Sequence, residues 1–498
     1  MRLRATADTR PNILVIMTDQ QRRETVGCNP NAWIATPNLE RLAREGVNFQ
    51  RAYAACPICV PTRVTFMSGL HANRVWTDGV GSPMDNGGNV PDPDRTVASL
   101  LRRDGYTTAI VGKTHLKPYG CPLGFDESHL LENDPDVDYT RYLKRRCHSK
   151  KDFWHNCAYD GVFAHDTSLP FEDYAATWVT RWTNDYLRRQ ADARQPFFLW
   201  TSYFKPHNPY DPPAPYRGTI DPDTLPRPVR SEAEWQDKGR VYHERDAFYR
   251  ARRKDAPVTE ASIQEARARY CECVKMLDDD VGAIIATLEE TGQWDNTTVI
   301  FTSDHGDLLG DHHLWHKTLA YEGSAGIPLL MRLPGETGAG QSTALAGTID
   351  LAPTCLDMAG TPIPDDWQGR SLLPAYRETP DDWRDALYLE CSYYPGTMTA
   401  ICTDRWKYVH FVNGGEEELY DLAEDPDELK NRAADPSYGA ERREMRRKLV
   451  ELIRDEGPDW ALAGHDLARL PFEPGYCRYS VHRPKMMPAP PGAPAMHG

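Results

Sequence analysis

Five short apolar runs rich in β-branched residues constrain this chain most: NILVIM (12–17), TTAIV (107–111), FFLWTS (197–202), TTVIFTS (297–303) and IPLLM (327–331). Polar turns bound each run, and helical patterns lie between them. That alternation is the signature of a parallel α/β sheet covered on both faces. Thr36-Pro37 offers an N-cap and a first-turn proline to a helix that carries Leu39, Leu42 and Ala43 on one face and ends at Gly46. From about Ser262 to Glu290, Leu277, Val281, Ile284, Ile285 and Leu288 recur at helical spacing; Gly292 ends this helix, which feeds TTVIFTS.

Between about 120 and 260 the pattern weakens into aromatic, Pro-rich and charged segments such as KPHNPYDPPAPYRG, suited either to loops around a site mouth or to an insertion without a role. From about 385 the grammar changes. ALYLECSYY, TAICTD, WKYVHFV and ELYDL are short, turn-separated runs typical of antiparallel strands, and a helix near 440–455 comes after them. At 498 residues the chain exceeds a typical single domain. The expected division is a catalytic α/β domain over 1–384, a small α+β subdomain with an antiparallel sheet over 385–470, and a partly disordered tail over 471–498.

A net charge of −15 argues against nucleic acid or an anionic membrane surface as a partner, because counterion release needs a basic face. No run approaches the roughly 18 apolar residues of a membrane span. Ile13–Met17 is too short, and too soon interrupted by Asp19, for a signal peptide, so a cytoplasmic location is expected. The cysteines are scattered: Cys271-Glu272-Cys273 lacks a second half, and Pro61 and Arg63 make the Cys56-x-x-Cys59 pair unlike a redox motif. Neither a disulfide framework nor a zinc ribbon is indicated.

In open parallel sheets, ligands bind beyond the carboxyl ends of the strands. Thr18-Asp19-Gln20 comes directly after NILVIM, Gly112-Lys113-Thr114-His115 after TTAIV, Lys205-Pro206-His207 after FFLWTS, and Asp304-His305-Gly306-Asp307 after TTVIFTS. Four strand ends thus deliver carboxylates, cations and imidazoles to one edge. Asp19, Gln20, Asp304 and His305 are oxygen-rich with one imidazole, a set suited to a hard divalent cation such as Ca²⁺, Mg²⁺ or Mn²⁺. Zinc more usually asks for further nitrogen or sulfur ligands.

Cys59-Val60-Pro61-Thr62-Arg63 reads C-x-P-x-R. Together with NILVIMTDQ, TPNLERLAREGVNF, GKTH at 112, PH at 206, TSDHGDLLGDHHLWHK at 302 and EGSAGIPLLMRLP, it resembles the type I, formylglycine-dependent sulfatases of the alkaline phosphatase superfamily, over roughly residues 11–435. The resemblance implies an alkaline-phosphatase-like α/β sandwich with a large, mostly parallel central sheet. It implies hydrolysis of a small-molecule or saccharide sulfate monoester to alcohol and sulfate, by a monomer or an oligomer. Cys59 would be converted to formylglycine by a generating enzyme; the hydrate supplies an oxygen nucleophile and a second hydroxyl with which to expel sulfate. Arg63 would stabilise the hydrate, and Asp19, Gln20, Asp304, His305 and residue 59 would hold one divalent cation, Ca²⁺ first, with Mn²⁺ or Mg²⁺ as alternatives. Lys113 and Lys317 would grip sulfate oxygens, His115 would hydrogen-bond the formylglycine and assist sulfate elimination, and His207 would face the leaving oxygen.

Two positions depart from the family's commoner pattern. Many sulfatases pair two aspartates at the first metal position and Asp-Asn at the second, whereas Asp19-Gln20 and Asp304-His305 look like phosphonate monoester hydrolases and some choline-sulfatase-like members. A phosphonate monoester hydrolase or phosphodiesterase is therefore the alternative function. An unmodified cysteine phosphatase needs five residues between Cys and Arg; Cys59 to Arg63 offers three and Cys56 to Arg63 six. Asp278, Asp279 and Asp280 read as a solvated helix surface. His312 and His313 read as loop residues, His316 as a neighbour of the substrate, Trp315 as packing, and Arg22 and Arg23 as either anion-reaching or surface residues.

Overall fold

The computed structural model describes residues 10–75, 92–120, 123–132, 134–148, 164–193, 195–252, 258–336, 340–393, 396–458 and 461–472. In chain order, the strands that build its two larger sheets and one short pair are β1 (Asn12–Asp19), β2 (Val47–Phe49), β3 (Ala52–Tyr53), β4 (Thr107–Gly112), β5 (Glu127–Leu130), β6 (Phe197–Pro206), β7 (Thr297–Ser303), β8 (Leu329–Arg332), β9 (Gly340–Ser342), β10 (Ala346–Gly347), β11 (Ala386–Tyr393), β12 (Gly396–Thr403), β13 (Trp406–Phe411) and β14 (Glu416–Asp421).

Eight of them form one sheet in the order β5-β4-β6-β1-β7-β8-β2-β9. Strands β5, β4, β6, β1 and β7 run parallel, and β8, from IPLLM, runs against both its neighbours. The mostly parallel sheet is as expected, with β8 the reversed strand. Every residue of β1 is buried. Ile13, Val15 and Met17 enter one core with the helices Cys59–Ser68, Val97–Arg103 and Leu351–Ala359. Leu14 and Ile16 enter the other, with the helices Pro37–Glu45, Ala175–Gln190 and Glu260–Glu290. Helices on both faces explain why Ile13 to Met17 are continuously apolar.

Strands β11 to β14 form the expected antiparallel sheet. Leu387, Leu389 and Val409 pack against Tyr53, Ile58 and Leu308, next to the start of the Cys59–Ser68 helix. Tyr388, Ile401 and Leu419 point the other way, onto Met445, Leu449 and Ile453 of the helix Gly439–Asp455. The expected tail lies, from residue 473 on, outside the described residues. The cysteines among the described residues are free thiols. No described helix is long and apolar enough to cross a membrane.

Two readings of the sequence are corrected. Thr36 occupies the N-cap position, but its side chain caps nothing and instead accepts from Gly27 N at 2.8 Å. The capping acceptor is Asp278, whose carboxylate takes Leu39 N at 2.9 Å and Asn38 N at 3.2 Å. Asp278 and Asp280 are therefore buried helix contacts, and only Asp279 of that run is solvated. A carboxylate offered by a neighbouring helix satisfies orphan N–H groups as well as a local cap does.

Candidate active site

The end of β1 lies between β6 and β7, with Asp19 opposite Pro206 and Thr18 opposite Ser303; one strand further out, Gly112 lies opposite Ser202. This register brings Asp19, Lys113, His207 and Asp304 to one edge. The helix Cys59–Ser68 starts there, with extended Ile58 as its N-cap and Cys59 as its first residue, buried along its whole length. The positive end of the helix dipole favours anionic oxygens at residue 59.

Cys59 Sγ lies 3.2 Å from His305 Nε2, 3.3 Å from Lys317 Nζ and 3.7 Å from Asp19 Oδ1. Lys113 Nζ donates to Asp19 Oδ2. Arg63 is fully buried: Nε donates to Asp304 Oδ2 at 3.0 Å, and Nη1 reaches Lys113 O and Ser202 Oγ at 2.7 Å each. These bonds orient Asp304 and the turn that carries Lys113. Gln20, at φ 72°, donates its backbone N–H to Asp304 Oδ1 at 3.0 Å, and its Oε1 accepts from Lys317 Nζ at 2.5 Å.

Burial alone would raise the Asp19 pKa, but Lys113, His207, Lys317 and Arg63 outweigh it and hold the carboxyl well below its ordinary value. Burial pushes the Cys59 thiol up, Asp19 adds to this, and the two lysines offset only part of it. Burial lowers His305 to about 4. Its Nδ1 faces Gly306 O at 2.9 Å, which assigns the proton to Nδ1 and leaves the Nε2 lone pair toward Cys59. Burial and Lys317 hold His207 well below its usual range, and its Nδ1 faces Asn208 O at 2.7 Å. Burial and Lys113 likewise lower His115.

Ligand atoms of Asp19, Cys59, Asp304 and His305 all lie within 4.8 Å of one another. Two carboxylates and an imidazole lone pair, buried and converging, fit a divalent cation of the hard or borderline class. Gln20 borders this cluster. His312 does not belong to it: its Nδ1 meets Glu234 Oε1 at 2.5 Å. His316 donates its backbone N–H to Asp307 Oδ1 at 2.9 Å, and Trp315 packs in the core beside Ile263. Arg22, buried, and Arg23, half-buried, do not stand free to meet an anion: they pair internally with Asp311 at 2.6 Å and Glu322 at 2.7 Å.

Two further residues shape the site. Glu132 Oε1 accepts from Thr114 N at 2.6 Å and His115 N at 2.5 Å, fixing the turn after β4 in which His115 has φ 61°. Asp307 holds Gln20 Nε2 at 2.5 Å. Asp307 stands in a strand-end run but carries no sequence signal of its role, and Glu132 has no signal in the sequence at all.

The sulfatase family model matches residues 11–361, and the model described as N-sulphoglucosamine sulphohydrolase, C-terminal, matches residues 310–455. An arylsulfatase of Clostridium perfringens is 30% identical over 480 residues, spanning 90% of this chain and 96% of that protein. The multifunctional alkaline phosphatase superfamily protein PehA of Trinickia caryophylli is 31% identical over 500 residues, spanning 89% and 95%. Among solved structures, a phosphonate monoester hydrolase from Silicibacter pomeroyi superposes with a TM-score of 0.77 at 25% identity, covering 90% of this chain and 96% of that one. With its strand-end constellation, its C-x-P-x-R helix start and a family match over most of its length, the chain belongs to the sulfatase family of the alkaline phosphatase superfamily.

Proposed function

We propose that the chain is a sulfuric ester hydrolase that cleaves a sulfate monoester to alcohol and sulfate, with formylglycine made from Cys59 as its nucleophile. One observation carries this reading. Cys59 Sγ, which stands where a hydrate oxygen would be, sits at a helix N-terminus within 3.3 Å of both the His305 lone pair and the Lys317 ammonium. The similarity to an arylsulfatase supports the same ester class. A divalent cation held by Asp19, Asp304, His305 and residue 59, with Gln20 alongside, would acidify the hydrate and draw charge from the sulfate oxygens.

The protein's own charges suit an anion. Lys113, Lys317 and Arg63 supply three positive charges against two on Asp19 and Asp304, leaving one net positive charge for a monoanionic ester. The hydrate oxygen attacks sulfur as the S–O bond to the alcohol breaks. His207 can protonate the departing oxygen only as imidazolium, and the bound anion is what would raise it, since burial and Lys317 otherwise keep it neutral. His115 Nδ1, buried with no hydrogen-bond partner among the described residues, is available to take the proton of the second hydroxyl. The C–O bond to sulfate then breaks, the aldehyde re-forms, and water restores the hydrate.

A second reading, hydrolysis of a phosphonate monoester or phosphate diester, is favoured by Gln20 and His305 and by the similarity to the phosphonate monoester hydrolase. Comparing kcat/KM on an aryl sulfate, a phosphonate monoester and a phosphate diester, with metal analysis of the same preparation, separates the two. Sulfate preference supports the first. A phosphonate preference above about tenfold, roughly 1.4 kcal/mol in transition-state binding, favours the second.

A further inference from the structure

We propose that Arg245, far from the catalytic residues in sequence, is the positioning residue for Lys317; the inference rests on the reading of Lys317 as a cation that grips the transferred group. Arg245 lies on the helix Arg240–Arg252, within the region where the sequence left open a choice between site loops and an insertion without a role. It is 1% exposed. Its guanidinium forks into the segment that carries Lys317: Nη1 donates to Thr318 Oγ1 at 2.7 Å, and Nη2 to Lys317 O at 2.5 Å and Trp315 O at 3.1 Å.

The segment needs such a clamp. His316 has φ 66° and Thr318 φ 81°, left-handed conformations that a β-branched residue rarely adopts and that persist only when the surroundings over-determine them. Among the described residues Arg245 makes no ion pair; the Tyr249 ring, 5.2 Å from its Cζ, and three carbonyl and hydroxyl oxygens compensate its buried charge, and those oxygens flank Lys317. Thr318 N donates to Pro57 O at 2.9 Å, which ties the same segment to the turn two residues before Cys59. Lys317 Nζ is thereby delivered to Gln20 Oε1 and Cys59 Sγ. A lysine at 245 keeps the charge but cannot present a planar fork to three acceptors.

The test is a double-mutant cycle of R245K and K317A, read as kcat/KM on the best ester, with backbone hydrogen exchange at Thr318 on the same proteins. R245K is expected to lower kcat/KM by about 10- to 100-fold when Lys317 is present, chiefly in kcat, and by less than about twofold in the K317A background. Exchange at Thr318 should quicken in R245K. T318V, which removes one acceptor and keeps Arg245, should show a smaller loss of the same kind and stands in should R245K fail to fold. Equal losses in both backgrounds, an unaffected R245K, or unchanged exchange at Thr318 would overturn the inference. A wild-type protein that turned over none of the three ester classes would instead overturn the catalytic reading, and the exchange measurement would still decide whether Arg245 holds the segment.

Discussion

Replacing Asp307 by Asn changes the site's hydrogen-bond polarity without changing its shape. Asp307 is fully buried and accepts four hydrogen bonds. Oδ1 takes Leu309 N at 3.0 Å and His316 N at 2.9 Å; Oδ2 takes Gln20 Nε2 and the Tyr210 hydroxyl, both at 2.5 Å. Because a carboxylate only accepts, it turns the Gln20 NH₂ toward itself and leaves Gln20 Oε1 for Lys317. In D307N one acceptor becomes a donor. If the new NH₂ faces Gln20, that amide must flip and its own NH₂ then meets the Lys317 ammonium; if it faces the loop, Leu309 N and His316 N lose their acceptor. Either arrangement loses two bonds to a charged group, at about 1.5–3 kcal/mol each. We expect D307N to lose about 3–6 kcal/mol of stability in urea unfolding. We also expect kcat/KM on the preferred ester to fall about 100-fold, roughly 2.7 kcal/mol. A D307N protein within about twofold of wild type in kcat/KM and equally stable would refute this polarity argument.

Three other perturbations test the structure's energetics and the proposed metal site. Lys407 is buried with Nζ 2.6 Å from both Glu322 and Glu428, and this pairing, with Arg23, holds Glu322 down at about 2 against the upward push of burial. K407M leaves those carboxylates under-compensated and should cost about 3–5 kcal/mol in urea unfolding, and a cost below about 1 kcal/mol would contradict it. Burial pushes the Asp280 carboxyl up to about 7 from an ordinary 3.8, so the folded state binds the proton more tightly, and stability is lost as pH rises through that window, by up to about 4 kcal/mol. D280N should therefore be the more stable protein at pH 8 and lose its advantage near pH 4; equal stability at pH 8 would contradict this. Chelation should abolish turnover, with Ca²⁺ restoring it and Mn²⁺ and Mg²⁺ compared alongside; full activity in protein shown to be metal-depleted would count against the metal site.

The parts of the site that are legible in the sequence are those whose position is set by topology. Asp19, Lys113, His207 and Asp304 lie just past the ends of consecutive neighbours in one parallel sheet, so the residues after each apolar run locate them without any knowledge of contacts. Cys59 and Arg63 are legible as a motif, and the helix start explains their spacing. Glu132 and Arg245 are not legible, because their roles lie in hydrogen bonds to backbone groups at least 17 and 70 residues away, respectively, and no periodicity encodes such a partner. Asp278 and Asp280 mislead for the same reason: a charge run on an amphipathic helix looks solvated until another helix presents bare N–H groups to it, or packs over it. Arg22 and Arg23 look free because the carboxylates that pair with them, Asp311 and Glu322, are nearly 300 residues distant in sequence.

The decisive measurement is the mass of the peptide containing residue 59, taken from a preparation with measured turnover and co-expressed with a formylglycine-generating enzyme. Formylglycine or its hydrate at position 59, in a fraction that tracks specific activity, is the predicted result. An active protein in which residue 59 remains an unmodified cysteine, or whose C59A variant retains near wild-type rates, would contradict it.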